Sequence, residues 1–441
     1  MRVTPVTYQR QPAQESTGSR RAFLFLQGPA SRAFNHIGHA LAARGHRVHR
    51  INFHAGDQLF WTLPGADNYR GSDHDWPAFL EAVLIRDGIT EVVLFGDCRP
   101  RHRAAVMVAR RLQLPVHVFE EGYIRPHWVT LELGGVNGHS SLPRDPDWYR
   151  DQAARLAPVP PGPPVPSSFA RRATEDLAYN FAYMLGGWMF PSYRTHRPWN
   201  PMVEYVSWAA RLVRRRVQHR GIAAAVARAD ALQDFYVFPL QLDCDSQVRT
   251  HSPFNGLWPA IEAVMQSFAR GAPPHTTLLI KEHPLDNGMK NWNRMVQGTA
   301  SALGISGRVC YIEDGDLDVL TRRSLGMVTI NSTSGTLALA AGVPITTMGD
   351  ALYDINGLTF RGELDAFWTD GTAPDPALFQ AFRRVLAHRS LVRGGFFSDE
   401  GVAMLTEGVV ARLEGLNPAH AVPAVATQAL AAGGRGAVPA G

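Results

Sequence analysis

Short apolar runs alternate along the chain with stretches in which apolar residues recur every three or four positions. Residues 22–26 form the first run and end in Gln27-Gly28-Pro29. Phe34, Ile37 and Leu41 then carry a helical period, and Gly45-His46 leads into a second run at 48–53 that contains Asn52. Period-two and buried runs predict strands, and the 3.6-residue period predicts helices. The alternation continues with a helix over 76–85, a strand over 91–95 closing on Gly96-Asp97-Cys98-Arg99-Pro100, a helix over 103–112 and a strand over 116–119. A Pro-rich stretch at 157–168 reads as a linker. Strands are expected again at 235–240, 277–280, 309–312 and 327–330, with helices between them, and two last helices at 376–386 and 401–413. Strands alternating with helices imply parallel, doubly wound sheets. The expected division is 22–156, a linker and basic aromatic segment at 157–232, a second α/β unit at 233–360, C-terminal helices at 361–416 that pack back on the body, and a tail at 417–441. That tail is rich in Ala, Gly and Pro and is expected to be disordered. No internal sequence repeat is visible.

Composition adds little to the pattern, because 441 residues with 45% hydrophobic and 19% charged positions are ordinary for a two-domain globular protein. Charge distribution adds more. Residues 170–220 hold nine Arg against three acids, a balance of +6 against a net charge of +5 for the whole chain, so the remainder is about −1. Such a segment suggests an anionic partner, a membrane surface or a nucleic acid. Cys98, Cys244 and Cys310 lie far apart, fit no metal-ligand spacing and read as reduced thiols. Residues 1–21 lack the apolar core of a signal peptide. Neither uncharged span reads as crossing a membrane: 324–349 is broken by Asn331, Ser/Thr and glycines, and 177–193 by Asn180, Gly186-Gly187 and Pro191.

Candidate chemistry gathers at the ends of the predicted strands, where open α/β sheets bind ligands. The fullest case is Phe119-Glu120-Glu121-Gly122-Tyr123-Ile124-Arg125-Pro126, which sets two carboxylates beside an arginine. Asp97, Arg99, His102 and Arg103 follow the preceding strand, while Gln27, Gly28 and Asn52 close the others. Arginine suits bidentate capture of a carboxylate, and a nearby acid can serve as base or nucleophile. In the second unit, Asn331-Ser332-Thr333-Ser334-Gly335-Thr336 joins a strand to a helix. It reads either as a phosphate cradle or as an ordinary Ser/Thr helix cap. Lys281-Glu282-His283-Pro284 ends another strand with groups suited to a phosphate. Two α/β units facing a cleft, one with acids and arginines and one with phosphate-compatible groups, describe a GT-B glycosyltransferase architecture.

Several stretches resemble the capsule polysaccharide synthesis/export family, the β-Kdo transferases of lipid-linked capsule assembly. They are Phe25-Leu26-Gln27-Gly28-Pro29, Arg50-Ile51-Asn52-Phe53 with Gly56-Asp57, Phe95 through Arg103, Phe119 through Pro126 and Gly134-Gly135-Val136-Asn137-Gly138. Pro239-Leu240-Gln241, His251-Ser252-Pro253-Phe254, Lys281 through Pro284 and Asn331 through Gly335 complete the set. The chain is most similar to the single-module members that start the linker. The resemblance implies a CMP-Kdo donor, a phosphatidylglycerol-type acceptor, a retaining outcome and a peripheral position on the inner face of the cytoplasmic membrane. It implies that Lys281, His283, Pro284, Ser332, Thr333, Ser334 and Gly335 hold the nucleotide. Arg99, His102, Arg103 and Arg125 become candidates for the sugar carboxylate, and Glu121, Glu120, Asp97 and His283 for catalysis. Glu121 stands where two-module relatives carry Asp. No metal and no cofactor are expected, nucleic acid is not expected, and other capsule assembly and export proteins are expected partners. Arg211, Arg214, Arg215 and Arg216 with Trp199, Tyr205 and Trp208 suit an anionic bilayer surface. Two rivals stay open: a non-catalytic glycolipid-binding export factor, and a sugar-nucleotide epimerase on the same fold.

Overall fold

In the computed structural model the described residues are 20–160, 162–195 and 199–415. The tail at 417–441 and nearly all of 1–21 lie outside them. The strands are β1 (Ala22–Phe25), β2 (Arg47–Asn52), β3 (Ala66–Asn68), β4 (Glu91–Phe95), β5 (Val116–Glu121) and β6 (Trp128–Leu133) in the first half. They continue with β7 (Phe235–Pro239), β8 (Thr277–Lys281), β9 (Val309–Ile312), β10 (Gly326–Thr329), β11 (Ile345–Thr347) and β12 (Leu391–Arg393). The central strands are apolar because both their faces are covered: every residue of β1 and β7 is buried.

One sheet has the order β12-β6-β5-β4-β1-β2-β3 and the other β11-β10-β7-β8-β9. The second sheet is wholly parallel, and so is the run from β3 to β5 in the first. Each chain path starts in the middle, walks to one edge, then returns to the other side. That is the Rossmann-like order, with a switch point between β1 and β4 and another between β7 and β10. The fold is therefore α/β with two Rossmann-like units, as expected.

The first sheet differs from expectation at one edge. β6 runs antiparallel to β5, and β12 runs antiparallel to β6. The C-terminal segment is thus not helices alone: β12 extends the first sheet, and Leu405, Val409 and Leu413 of helix Asp399–Leu413 share a core with Phe23, Phe25 and Phe34.

The segment between the sheets also departs from its reading as a bilayer-facing basic surface. It forms helices Phe169–Leu185, Pro201–Val217 and His219–Asp230. Three of the four arginines assigned to a membrane pair with acids of the second unit instead, and one of them does so in the interior. Arg211 is buried and pairs with Glu282 at 2.6 Å, Arg214 pairs with Glu313 at 3.1 Å, and Arg215 pairs with Asp314. Among the described residues only Arg216 of this group has no acidic partner. Tyr179 donates to the buried Asp57 (2.6 Å), which also holds Arg50, and His54 packs among Tyr179, Tyr183 and Tyr193. Beside exposed polar residues such as Arg216 and Arg220, the segment exposes apolar ones: Leu185, Trp188, Val206, Leu212, Val213 and Val217 are each more than half exposed. No helix among the described residues is long and apolar enough to cross a membrane.

Candidate active site

The end of β5 delivers Glu120 and Glu121 to the cleft. Successive strand residues project to opposite faces, and their surroundings follow that rule. Glu120 lies against Gly96 at the end of β4, and Glu121 meets Arg125 Nη2 at 2.8 Å and Arg172 Nη2 at 3.2 Å. Both are enclosed by protein yet reachable by solvent, the condition of groups lining a cleft. Burial, reinforced by the charges of Glu121 and Asp245, pushes Glu120 up to about 7. Its Oε1 accepts the Glu121 N–H at 3.0 Å, which opposes that rise without cancelling it. Burial would raise Glu121 as well, but Arg125 and Arg172 outweigh it and hold that carboxyl below its ordinary range. Adjacent glutamates thus carry different protonation near neutrality, and such a split marks distinct acid–base roles.

The facing domain contributes His283. Its Nδ1 accepts the Leu285 N–H at 3.0 Å, which leaves the ring proton on Nε2. Burial, with the positive charges of Lys281 and Arg125, lowers it to about 4, so the unliganded ring is a neutral donor. Lys281 is itself buried, with its ammonium on the Glu282 carbonyl at 3.3 Å, and Pro284 is exposed at the turn. Ser332, Thr333 and Ser334 are half-buried at the start of helix Gly335–Ala341, and the Ser334 hydroxyl donates to Ser332 Oγ at 2.8 Å. Gly335 has no room for a side chain, since a Cβ there would collide with the Tyr353 hydroxyl. Thr333 and Asn331 line a small pocket opposite Tyr123 and Asn137 of the first domain, so the serine loop does face the glutamate side.

Other predicted site residues are placed unevenly. Arg99 reaches the Gly28 carbonyl (3.3 Å), stacks on Phe95 and has no acidic partner among the described residues, so it remains available to an anion. Arg103 is exposed on helix Pro100–Arg111. His102 is fully buried beneath the cleft rather than open to it. Its Nδ1 donates to the Gly96 carbonyl at 2.7 Å, and burial lowers it to about 3. Asn52 is likewise an internal strut between Arg50 and Asn68. Gln27 is buried against His54, Tyr179 and Tyr193, and Gly28 is pressed on the Phe34 ring. Both oxygens of the buried Asp97 are taken, by Cys98 on one side and by His139 and the Val136 N–H on the other.

Two groups were not foreseen from the sequence. Arg172 lay within the basic segment but carried no mark of its role. Asp245 caps helix Ser246–Thr250, and its carboxyl lies in the field of Arg125 and Glu121 from the opposite domain. The only available signal was its place just after β7.

The family profile described as "Capsule polysaccharide biosynthesis protein" matches residues 90–397. The chain belongs to the capsule polysaccharide biosynthesis family. It is 34% identical over 391 residues to the capsule polysaccharide export protein KpsS of Escherichia coli, spanning 86% of this chain and 97% of that one. It is 36% identical over 392 residues to the capsule polysaccharide modification protein LipB of Neisseria meningitidis serogroup B, spanning 86% and 92%. Among solved structures it aligns with the KpsC β-Kdo 2,7 transferase of Thermosulfurimonas dismutans at 14% identity and a TM-score of 0.40, over 80% of this chain and 93% of that one. Family membership places the chain in capsule polysaccharide biosynthesis and export.

Proposed function

We propose that this family member transfers β-Kdo from CMP-Kdo to a phosphatidylglycerol-type lipid, with retention, at the inner face of the cytoplasmic membrane. The observation that carries the reading is the placement of buried Glu120 and arginine-paired Glu121 at one strand end, with His283 and a cluster of hydroxyls on the facing domain. The nucleotide phosphate sits at Ser332, Thr333 and Ser334 and takes a hydrogen bond from His283. Its negative charge raises the His283 pKa, so the ring shares the charge that develops as CMP departs. The Kdo carboxylate engages Arg125, Arg172 and Arg99. In doing so it draws the first two away from Glu121 and frees that carboxylate to attack the anomeric carbon. The C–O bond to CMP breaks with its electron pair on the phosphate, leaving a glycosyl-enzyme ester. The acceptor hydroxyl then attacks the same carbon, giving its proton to ionised Glu120 and returning Glu121 as carboxylate. The exposed apolar stripe of helix Pro201–Val217, with Trp188 and Leu185, supplies the contact with the bilayer interface in place of the acid-paired arginines.

Purified protein, CMP-Kdo and a fluorescent phosphatidylglycerol test this reading by mass spectrometry. Added Kdo mass on the lipid supports it, and no added mass under any condition overturns it. A second reading follows from the Escherichia coli relative, a capsule polysaccharide export protein: an export role would bind the product glycolipid without making it. The same assay separates the two.

Glu120 gives a pH prediction. With a folded-state pKa of about 7 it is mostly protonated in mild acid and ionised in mild base. Turnover should rise across about pH 6 to 8, because the base form is the one that accepts the proton. Glu120→Gln should lower kcat by roughly 100-fold or more and flatten that rise. A variant that keeps the parent's pH profile removes Glu120 from the role of base.

A further inference from the structure

Three stretches that the sequence set apart take no part in the transfer chemistry above: Asp97-Cys98 after β4, Gly134 through Gly138, and His251-Ser252-Pro253-Phe254. The fold brings them to one point between the domains. Cys98 Sγ lies 3.2 Å from His251 Nε2 and 3.3 Å from Asp97 Oδ1. His139 Nδ1 lies 3.0 Å from Asp97 Oδ2, and the two imidazoles meet edge to face with centroids 4.6 Å apart. One donor atom from each of the four residues lies within 4.8 Å of all the others. Asp97 and His251 are buried, Cys98 is half-buried, and the His139 side chain is 36% exposed.

The backbone is shaped around this cluster. A Cβ on Gly138 would collide with the His251 ring, and one on Gly135 would press on Asp97 Oδ2 at 3.1 Å. The His251 carbonyl is pinned by Asn331 Nδ2 at 3.1 Å and the Asp350 N–H at 2.7 Å, so the imidazole is presented by a fixed loop. Tetrahedral zinc with bonds of about 2.0–2.3 Å sets its ligand atoms roughly 3.3–3.8 Å apart. The contacts at 3.0–3.3 Å are already close to that, and the widest pairs, within 4.8 Å, would draw in by about 1 Å on binding.

We propose that Asp97, Cys98, His139 and His251 bind a divalent cation of the zinc class. Two imidazole nitrogens, a thiolate and a carboxylate oxygen are the borderline-soft set zinc prefers. On binding, the Cys98 thiol releases its proton to solvent, and thiolate plus carboxylate neutralise the ion. All four positions are filled by protein, which makes the site closed and structural rather than a Lewis acid for the substrate. Asp97, Cys98 and His139 come from the first domain and His251 from the second, so the ion clasps the two across the cleft. The linear spacing of the cysteines hides such a site, because its ligands come from three separate segments.

The test uses the untagged full chain, purified without chelator and assayed by elemental mass spectrometry. About one zinc per chain is expected, falling sharply in His251→Gln and unchanged in Cys244→Ser. Cobalt(II) in place of zinc should give tetrahedral ligand-field bands and a thiolate-to-metal charge-transfer band, and Cys98→Ser should abolish the latter. Circular dichroism confirms that each variant is folded, and the parent's cobalt spectrum decides even where a variant is not. Parent protein that holds no zinc after incubation with zinc chloride and desalting, or a charge-transfer band that survives Cys98→Ser, would overturn the proposal. The four residues would then be a hydrogen-bonded cluster only.

Discussion

Glu121→Gln is expected to abolish Kdo transfer, with kcat falling by roughly a thousandfold or more, because an amide oxygen cannot form the glycosyl ester that retention requires. The substitution is nearly isosteric, and its two ionic partners Arg125 and Arg172 are each about half exposed. Loss of those pairs should therefore cost no more than about 1 kcal/mol of stability. Binding of CMP, measured by calorimetry, should be little changed, since the phosphate groups sit on the other domain. That combination separates chemistry from folding and from donor binding. Two further outcomes discriminate. A variant with unchanged turnover would exclude Glu121 as nucleophile and leave transfer itself standing. Parent protein mixed with CMP-Kdo and no acceptor should accumulate a Kdo adduct on the peptide that carries Glu121, and the same adduct on Glu120 would exchange the roles of the two glutamates.

The strand-end rule made this cleft legible in advance, since Glu120, His283 and the serine loop all follow apolar runs that are strands in the structure. What the rule cannot convey is orientation. Glu120 and Glu121 look equivalent as neighbours in sequence, but the pleat sends them to different environments, and beside the local Arg125 the partners that distinguish them lie 51 residues away at Arg172 and across the cleft at Asp245. His102 and Asn52 illustrate the converse: polar residues beside a strand end can be struts beneath a site. β6 does alternate in polarity over Val129-Thr130-Leu131-Glu132-Leu133, but Thr130 and Glu132 are buried along with Val129 and Leu131, so polarity does not tell which of its faces meets solvent. β12 is three residues long and pairs with a strand some 260 positions earlier, a contact with no local signature.

Arg211 carries the second large expected effect, and it reverses the meaning of the basic segment. Counted along the chain, the charges from Arg211 to Arg216 suggested a surface. In three dimensions the Arg211 side chain is 1% exposed and that of Glu282 is 5% exposed, with Nη2 and Oε1 2.6 Å apart. Tyr311 donates to the other Glu282 oxygen, and Trp208 lies under the guanidinium at 5.3 Å. Removing one partner of such a pair leaves the other charge buried, which costs about 3–5 kcal/mol. Arg211→Met should therefore destabilise the chain by that order in urea unfolding. Burial already pushes Glu282 above its ordinary value with Arg211 in place. Without the arginine it rises further, and a raised folded-state pKa means stability is lost as pH rises through that value. The penalty should thus be larger at about pH 8 than at about pH 5. Adding Glu282→Gln removes the stranded charge while keeping an acceptor for Tyr311, so the double variant should recover most of the loss. A single-variant loss below about 1 kcal/mol, or no recovery in the double variant, would show that the pair is not what ties helix Pro201–Val217 to β8. Because Glu282 directly precedes His283, the single variant should also weaken CMP binding, and the double variant should restore it. The connecting helix would then act on the proposed nucleotide site through one buried ion pair, independently of any contact its apolar stripe makes with lipid.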